Sequence, residues 1–353
     1  MEETLTGHST VTAVDLFCGA GGLANGLQQA GVNVVAGIDL DPDCAFPFTH
    51  NNSADFHLQD IRTVTGDDLR AMWEPYDTPK LLAGCAPCQP FSTLRQAGPK
   101  EKDAKWNLLS EFGRLINESN PEFVTMENVP GLVRTEIFSR FVSNLVDCGY
   151  SVHHRVVHLP DYGLPQHRKR LVLVASRVAE VQVPDGTHTP ENYVTVKDAI
   201  GSLSPIQHGE QSVSDPMHRT QTLSDLNLKR IQSSVAGGTW RDWPEELQLA
   251  CHKKDSGKYY ASVYGRMPWD APSPTITTQF YIYGTGRFGH PEQDRAISLR
   301  EGAVLQGFPK DYEFVARGDR YTINRIGRLI GNAVPPILGY TIGKAVIDAA
   351  DSA

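Results

Sequence analysis

No apolar run in this chain of 353 residues approaches the ~18–20 residues needed to cross a bilayer, so no helical membrane span is expected. Cysteine is sparse. The six present show no spacing of a disulfide framework, which points to a reducing, intracellular setting. The first ten residues are polar and acidic and lack the apolar centre of a secretory signal. Positive charge is not in excess either, since the formal net charge is −8. That argues against affinity drawn from a wholly basic surface, although one cleft can be basic on an acidic protein. Any expectation of a nucleic-acid partner therefore has to come from motifs. Internal repeats and low-complexity tracts are missing too. What remains is a composition 40% hydrophobic and 21% charged, enough to bury a sizeable core in one large domain or two ordinary ones.

The first 175 or so residues alternate in type. Apolar runs at 11–17, 32–40, 80–84, 122–126 and 171–175 read as strands. Between them lie a helix-like stretch reaching Ala30 and a segment, 108–119, with Leu108, Phe112, Leu115 and Ile116 at helical spacing. Strands alternating with helices predict an α/β fold with a doubly wound, mostly parallel sheet, whose ligands bind at the strands' carboxyl ends. From about 178 to 294 the chain is rich in Pro, Gly, Ser, Thr and His and has few long periodic segments. This predicts a second, smaller, irregular and β-rich domain. Helical spacing returns at 323–329. Pro335-Pro336 then opens a last helix over 337–350, expected to pack back on the first domain.

Asp15-Leu16-Phe17-Cys18-Gly19-Ala20-Gly21-Gly22 follows a strand and opens a helix. Glycines there permit a tight turn and close approach of backbone to a ligand. Asp39 ends the next strand, where a carboxylate can accept both ribose hydroxyl protons. The loop alone does not separate a nicotinamide cofactor from S-adenosylmethionine. Phe17 can stack on an adenine or simply fill core. Asp60-Ile61 can hold an adenine amino group or cap a helix.

Cys85-Ala86-Pro87-Cys88 admits three readings: a thiol–disulfide pair, half a zinc site, or a lone nucleophile, Cys88, with Cys85 a buried small hydrophobe. No second close cysteine pair completes a zinc site. No obvious apolar-faced helix follows as a redox pair requires. The run 95–105, with Gly98-Pro99, reads as an active-site loop or a plain surface loop. Downstream come Glu127-Asn128-Val129 and Gln166-His167-Arg168-Lys169-Arg170. A thiol, a carboxylate and alternating arginines suggest covalent attack on an electron-poor ring.

In this order, together with Arg300-Glu301, Leu305-Gln306-Gly307-Phe308-Pro309 and Gly331-Asn332-Ala333-Val334, these elements resemble the C5-cytosine-specific DNA methyltransferase family of bacterial and phage type. The likeness spans nearly all of the chain outside the variable segment. Tyr264 to Asp270 and Gly286 to Gln293 also resemble segments of eukaryotic maintenance methyltransferases and their bacterial relatives. Cys18 stands where the family often has Ala, and would add an oxidisable thiol to the loop.

The resemblance implies a catalytic and cofactor-binding domain over 1–177 plus 322–353, with target recognition over 178–321. It implies methyl transfer from S-adenosylmethionine, which becomes S-adenosylhomocysteine, to C5 of a cytosine swung out of a specific duplex sequence, and no metal. Cys88 would add to C6, Glu127 would act as an acid at N3, and Arg170, with Arg168 close by, would hold O2 of the base or the carboxylate, O2 being the favoured partner of Arg170. No residue is an evident base for the departing C5 proton, which leaves an ordered water. The cofactor would meet Phe17, Gly19, Gly21, Gly22, Asp39, Leu40, Asp60, Ile61, Pro87, Leu108, Asn332 and Val334. Gln89, Ser92 and Arg95 would close over the extruded base, while Arg241, Arg266 and Arg287, with Lys253, Lys254 and Lys258, would contact DNA. The expected partners are double-stranded DNA and, where the enzyme is paired, an independently acting restriction endonuclease. The expected state is a monomer in the cytoplasm, associated with the nucleoid. Three alternatives stay open. A tRNA cytosine-5 methyltransferase shares the fold, but its Cys-Phe-Thr signature is missing. A nicotinamide oxidoreductase has only the glycine loop in its favour, and a binding-only regulator would be expected to have lost the thiol.

Overall fold

A computed structural model describes residues 11–87, 108–255, 257 and 263–353. It divides into two compact units, one of Met1–His158, Lys169–Gly186 and Val334–Ala353, the other of Leu159–Arg168 and Thr187–Ala333.

The first unit is built on seven strands: β1 (Thr12–Leu16), β2 (Asn33–Asp39), β3 (Asp55–Leu58), β4 (Lys80–Gly84), β5 (Phe123–Asn128), β6 (Ser151–His158) and β7 (Lys169–Ser176). They lie in the order β3-β2-β1-β4-β5-β7-β6. β7 runs antiparallel to both its neighbours, and the remaining pairs are parallel. The doubly wound, Rossmann-like sheet expected from the alternation is thus present. Its strand order reverses between β1 and β4, where such sheets open a crevice. β1 and β5 are buried throughout, which is why apolar and polar residues do not simply alternate along them.

Helices α1 (Gly22–Ala30), α2 (Ala45–Asn52), α3 (Gly66–Trp73), α4 (Leu108–Ser119) and α5 (Glu136–Asp147) belong to this unit. α4 buries Leu109, Phe112, Leu115 and Ile116, a stripe at i, i+3, i+6 and i+7 that packs into the sheet's core with Phe138, Phe141 and Leu145 of α5. The unit's last helix, α10 (Pro336–Ala350), crosses α1 as expected. The crossing is close because glycines face it from both sides. A Cβ on Gly26 would lie 1.9 Å from the Pro336 carbonyl oxygen, and one on Gly339 would lie 2.4 Å from that of Leu23.

The second unit contains α6 (Val196–Ile200), α7 (Asp225–Gln232), α8 (Leu299–Leu305) and α9 (Ile323–Asn332), joined by irregular chain. It is irregular as expected, but the short strands anticipated there are isolated bridges among the described residues, Gln211–Arg219, Arg266–Gly289 and Gly289–Ala296 among them. Its bounds also differ from the 178–321 that the resemblance implied. Leu159–Arg168 belongs with it because His167 N–H donates to the Ser273 carbonyl and Ser273 N–H donates to that of Pro165, 2.8 and 2.9 Å. α9 belongs with it because Gly331 and Gly327 lie against Thr277 and Tyr281.

Candidate active site

The loop after β1 turns through left-handed backbone at Phe17 (φ 57°), Gly19 (φ 54°) and Gly21 (φ 86°). Gly21 caps α1 with no side chain in the way. Glycine takes this conformation freely, whereas Phe17 is held there at a cost on the order of 1–3 kcal/mol. Asp39, at the end of β2, fastens the loop. Its Oδ2 accepts from Gly19 N–H and its Oδ1 from Asp41 N–H, both at 2.9 Å. Burial raises its carboxyl above the ordinary value, and the two amides pull it back. Leu40 beside it is 63% exposed, an apolar side chain standing in solvent at the carboxyl edge.

Beneath the loop lies Asp15, 1% exposed, with the Ala24 backbone amide favouring its charged form. Burial, and then the charge of Asp39, push its carboxyl up to about 8. Cys18 is buried as well, over Gly37. Burial and the same two carboxylates raise its thiol well above the ordinary range. The oxidation sensitivity expected of Cys18 is therefore opposed by its surroundings, because the reactive form is the thiolate.

The other cofactor candidates divide. Asp60 caps the 3-10 turn Ile61–Thr63 and pairs with Arg62 at 2.6 Å, the capping alternative weighed for it. The Ile61 side chain is 5% exposed and packs in the core, so its backbone is the part best placed for the expected contact. Pro87 is exposed and Leu108 half-buried, both in the first unit, as is the buried Val334. Asn332 is exposed at the end of α9 in the second unit. Gly22 opens α1.

The reactive end follows from register. β4 pairs with β5 so that Gly84 faces Met126, which sets the next residues, Cys85 and Glu127, side by side. β5 pairs with β7 so that Glu127 faces Val172, which puts Arg170 on the diagonal of the same face. Long side chains span such a diagonal. The result is a row. Arg170 Nε lies 2.6 Å from Glu127 Oε1, and Cys85 Sγ donates to Glu127 Oε2 at 2.9 Å. Glu127 is 4% exposed. Its neighbour Asn128 donates from Nδ2 to the Ala86 carbonyl at 2.9 Å, tying down the segment that leads into Cys88.

Of the two partners offered to the arginines, the carboxylate is the one that Arg170 meets within the protein. Cys85 corrects its expected part as a mere small hydrophobe. Its thiol is free of any disulfide and engaged with Glu127, which removes support from a standing Cys85–Cys88 bridge. Cys88, Gln89, Ser92, Arg95 and Lys258 lie outside the described residues.

Within the second unit, Gln166 joins three motif segments that lie far apart in sequence. Its Nε2 donates to the Leu305 carbonyl and to Gln306 Oε1, and its Oε1 accepts from Ile276 N–H and Arg168. Gln306 in turn donates to the Ala333 carbonyl at 2.7 Å. Arg168 is buried and donates to the Ile276 carbonyl at 3.2 Å.

Among the expected DNA contacts, Arg266 is corrected. It is 5% exposed and its guanidinium donates to the carbonyls of Ile231, Ser234, His290 and Gln293 and pairs with Asp294, so it holds the unit together. Arg287 is exposed, as are Lys253 and Lys254. Arg241 is exposed and lies over the Trp240 ring, 5.8 Å from its centre. Among the described residues no three His, Cys, Asp or Glu side chains gather as metal ligands, and no helix is long and apolar enough to cross a membrane.

A Rossmann-like sheet with a carboxylate-pinned glycine loop at one strand end and a carboxylate–arginine pair at another defines an α/β methyltransferase fold. A crystal structure of a DNA modification methyltransferase encoded within an E. coli prophage shares it, with a TM-score of 0.75 at 23% identity over 97% of this chain and 99% of that one. The description "C-5 cytosine-specific DNA methylase" matches residues 11–348, and the chain belongs to that family. It is 52% identical to the type II methylase M.HgiDII of Herpetosiphon aurantiacus over 94% of each chain. It is 32% identical to the type II methyltransferase M.Eco47II of Escherichia coli, over 99% of this chain and 82% of that one. The protein is accordingly an enzyme, a DNA (cytosine-5-)-methyltransferase.

Proposed function

We propose that the chain transfers a methyl group from S-adenosylmethionine to C5 of a cytosine extruded from duplex DNA, through a transient bond between Cys88 and C6. The observation that carries this reading is the row Cys85, Glu127, Arg170 at the carboxyl edge of β4 and β5, on the strand that runs into Pro87-Cys88. The cofactor supplies an electrophilic sulfonium methyl. The residues at the β1 and β2 ends suit it: the left-handed glycine loop brings backbone close, Asp39 offers a carboxylate for ribose hydroxyls, exposed Leu40 offers an apolar face to adenine, and the Asp15 carboxyl lies beneath. Asp60 and Asn332 take part from their own elements.

Cytosine C5 is a poor nucleophile until a thiolate adds at C6 and makes it enamine-like. Charge then arrives at N3, where Glu127 as an acid donates a proton. Arg170 keeps the carboxyl group aimed. A duplex hides C5, so the base leaves the stack at a cost of a few kcal/mol, with Gln89, Ser92 and Arg95 closing behind it. An ordered water removes the C5 proton and elimination frees Cys88. Arg241 and Arg287 contact the DNA. The likeness to two type II enzymes supports a place in restriction–modification.

Bisulfite sequencing of DNA from a host expressing the chain should reveal 5-methylcytosine in one sequence context, and Cys88→Ala should abolish it. Duplex carrying 5-fluorocytosine at that site should trap a covalent adduct, because fluorine cannot leave as a proton does. Methylation that persists in Cys88→Ala would refute the reading.

A further inference from the structure

We propose that Cys85 is a positioning residue for Glu127: its thiol fixes Oε2 of the carboxylate while Arg170 fixes Oε1, so that the acid is presented to the base in one orientation. The inference rests on the role proposed for Glu127 and adds to it Cys85, which has no part in the steps proposed above. One contact at Oε1 leaves the group free to turn, since the terminal torsion of a glutamate is broad. A second contact on the other oxygen sets its plane. The two partners come from the strands on either side of β5, β4 through its last residue's successor and β7 through its second residue. Cys85 itself is placed by its own N–H, which donates to the Leu16 carbonyl at 3.3 Å. Burial and the charge of Glu127 hold the thiol well above its ordinary range, so it remains an S–H donor at working pH. A thiol is a weak donor. It can orient the carboxyl in the waiting enzyme and yield when the cytosine edge competes for the same oxygen, where a stronger donor would hold on.

The test compares Cys85→Ala, Cys85→Ser and Cys88→Ala on a duplex substrate. Cys85→Ala should lower kcat about tenfold, the size of one lost hydrogen bond, with KM for S-adenosylmethionine unchanged. Cys85→Ser, which keeps a donor, should recover most of the rate. A loss of kcat and cofactor KM together, or no rescue by serine, would mean packing rather than positioning and overturns the proposal. So does a wild-type kcat in Cys85→Ala while Cys88→Ala is inactive, which leaves the function itself standing. An active Cys88→Ala would overturn the function instead. A second readout needs no turnover. The infrared S–H band of Cys85, isolated as the difference between wild type and Cys85→Ser, should move in Glu127→Gln. A band that stays put removes the contact and the proposal with it.

Discussion

The two units satisfy their buried backbone in opposite ways. In the first, strands pair with strands, and a half-buried arginine such as Arg170 is left to pair with the Glu127 carboxylate. In the second, few ladders exist, and guanidinium groups stand in for them. Arg266 supplies four carbonyls. Arg295, fully buried, donates to those of Ile206 and Ala296 and to both oxygens of Glu301. Arg300 bridges Asp215 and the Tyr312 carbonyl. Five rigid donors on one side chain can do for irregular chain what a neighbouring strand does for a sheet. The lesson is that an arginine in this protein cannot be assigned to DNA by its type.

That contrast can be broken by experiment. Arg266→Ala should cost about 3–5 kcal/mol in denaturant unfolding, because it strands several buried carbonyls and a carboxylate. The exposed Arg287→Ala should leave stability within about 0.5 kcal/mol and weaken DNA binding in a salt-dependent way. The reverse pattern would undo the assignment of both. In the first unit, Gly26→Ala should destabilise by about 1–3 kcal/mol, since its methyl meets backbone of α10 rather than a side chain that can move. A neutral result would mean the two helices are not so closely seated.

A further effect is one of pH. Asp15 is raised from 3.8 to about 8, so the folded chain keeps a proton that the unfolded chain releases. Stability should therefore decline as pH rises from about 4 to about 8. Asp15→Asn, with no proton to lose, should show a shallower decline in thermal melts across that window. An identical slope would rule out Asp15 as its source.

The sheet of the first unit was legible because its central strands are short, mostly apolar segments separated by helical spacing. Asp39, Glu127 and Arg170 stood out because motif residues fall at strand ends. The half-exposed edge strand β6, with no such run, went unread. Cys85 was misjudged for a different reason. Its partner is fixed by the parallel pairing of β4 with β5, and that register has no trace in the spacing of the residues. Arg266 was misjudged because exposure is the usual fate of an arginine, and the carbonyls it serves belong to segments 24 to 35 positions away. Gln166 was legible as a motif member, but its work of joining Leu305 and Ile276 was not, since each lies over a hundred positions distant.

The crossing of α1 and α10 makes the order of synthesis matter. In a chain that grows from its N-terminus, the helix that follows the glycine loop must wait for about three hundred further residues before α10 covers it. Until then Gly26, Leu27 and Ala30 lack the helix that packs on them, although every strand of the sheet beneath has already been made.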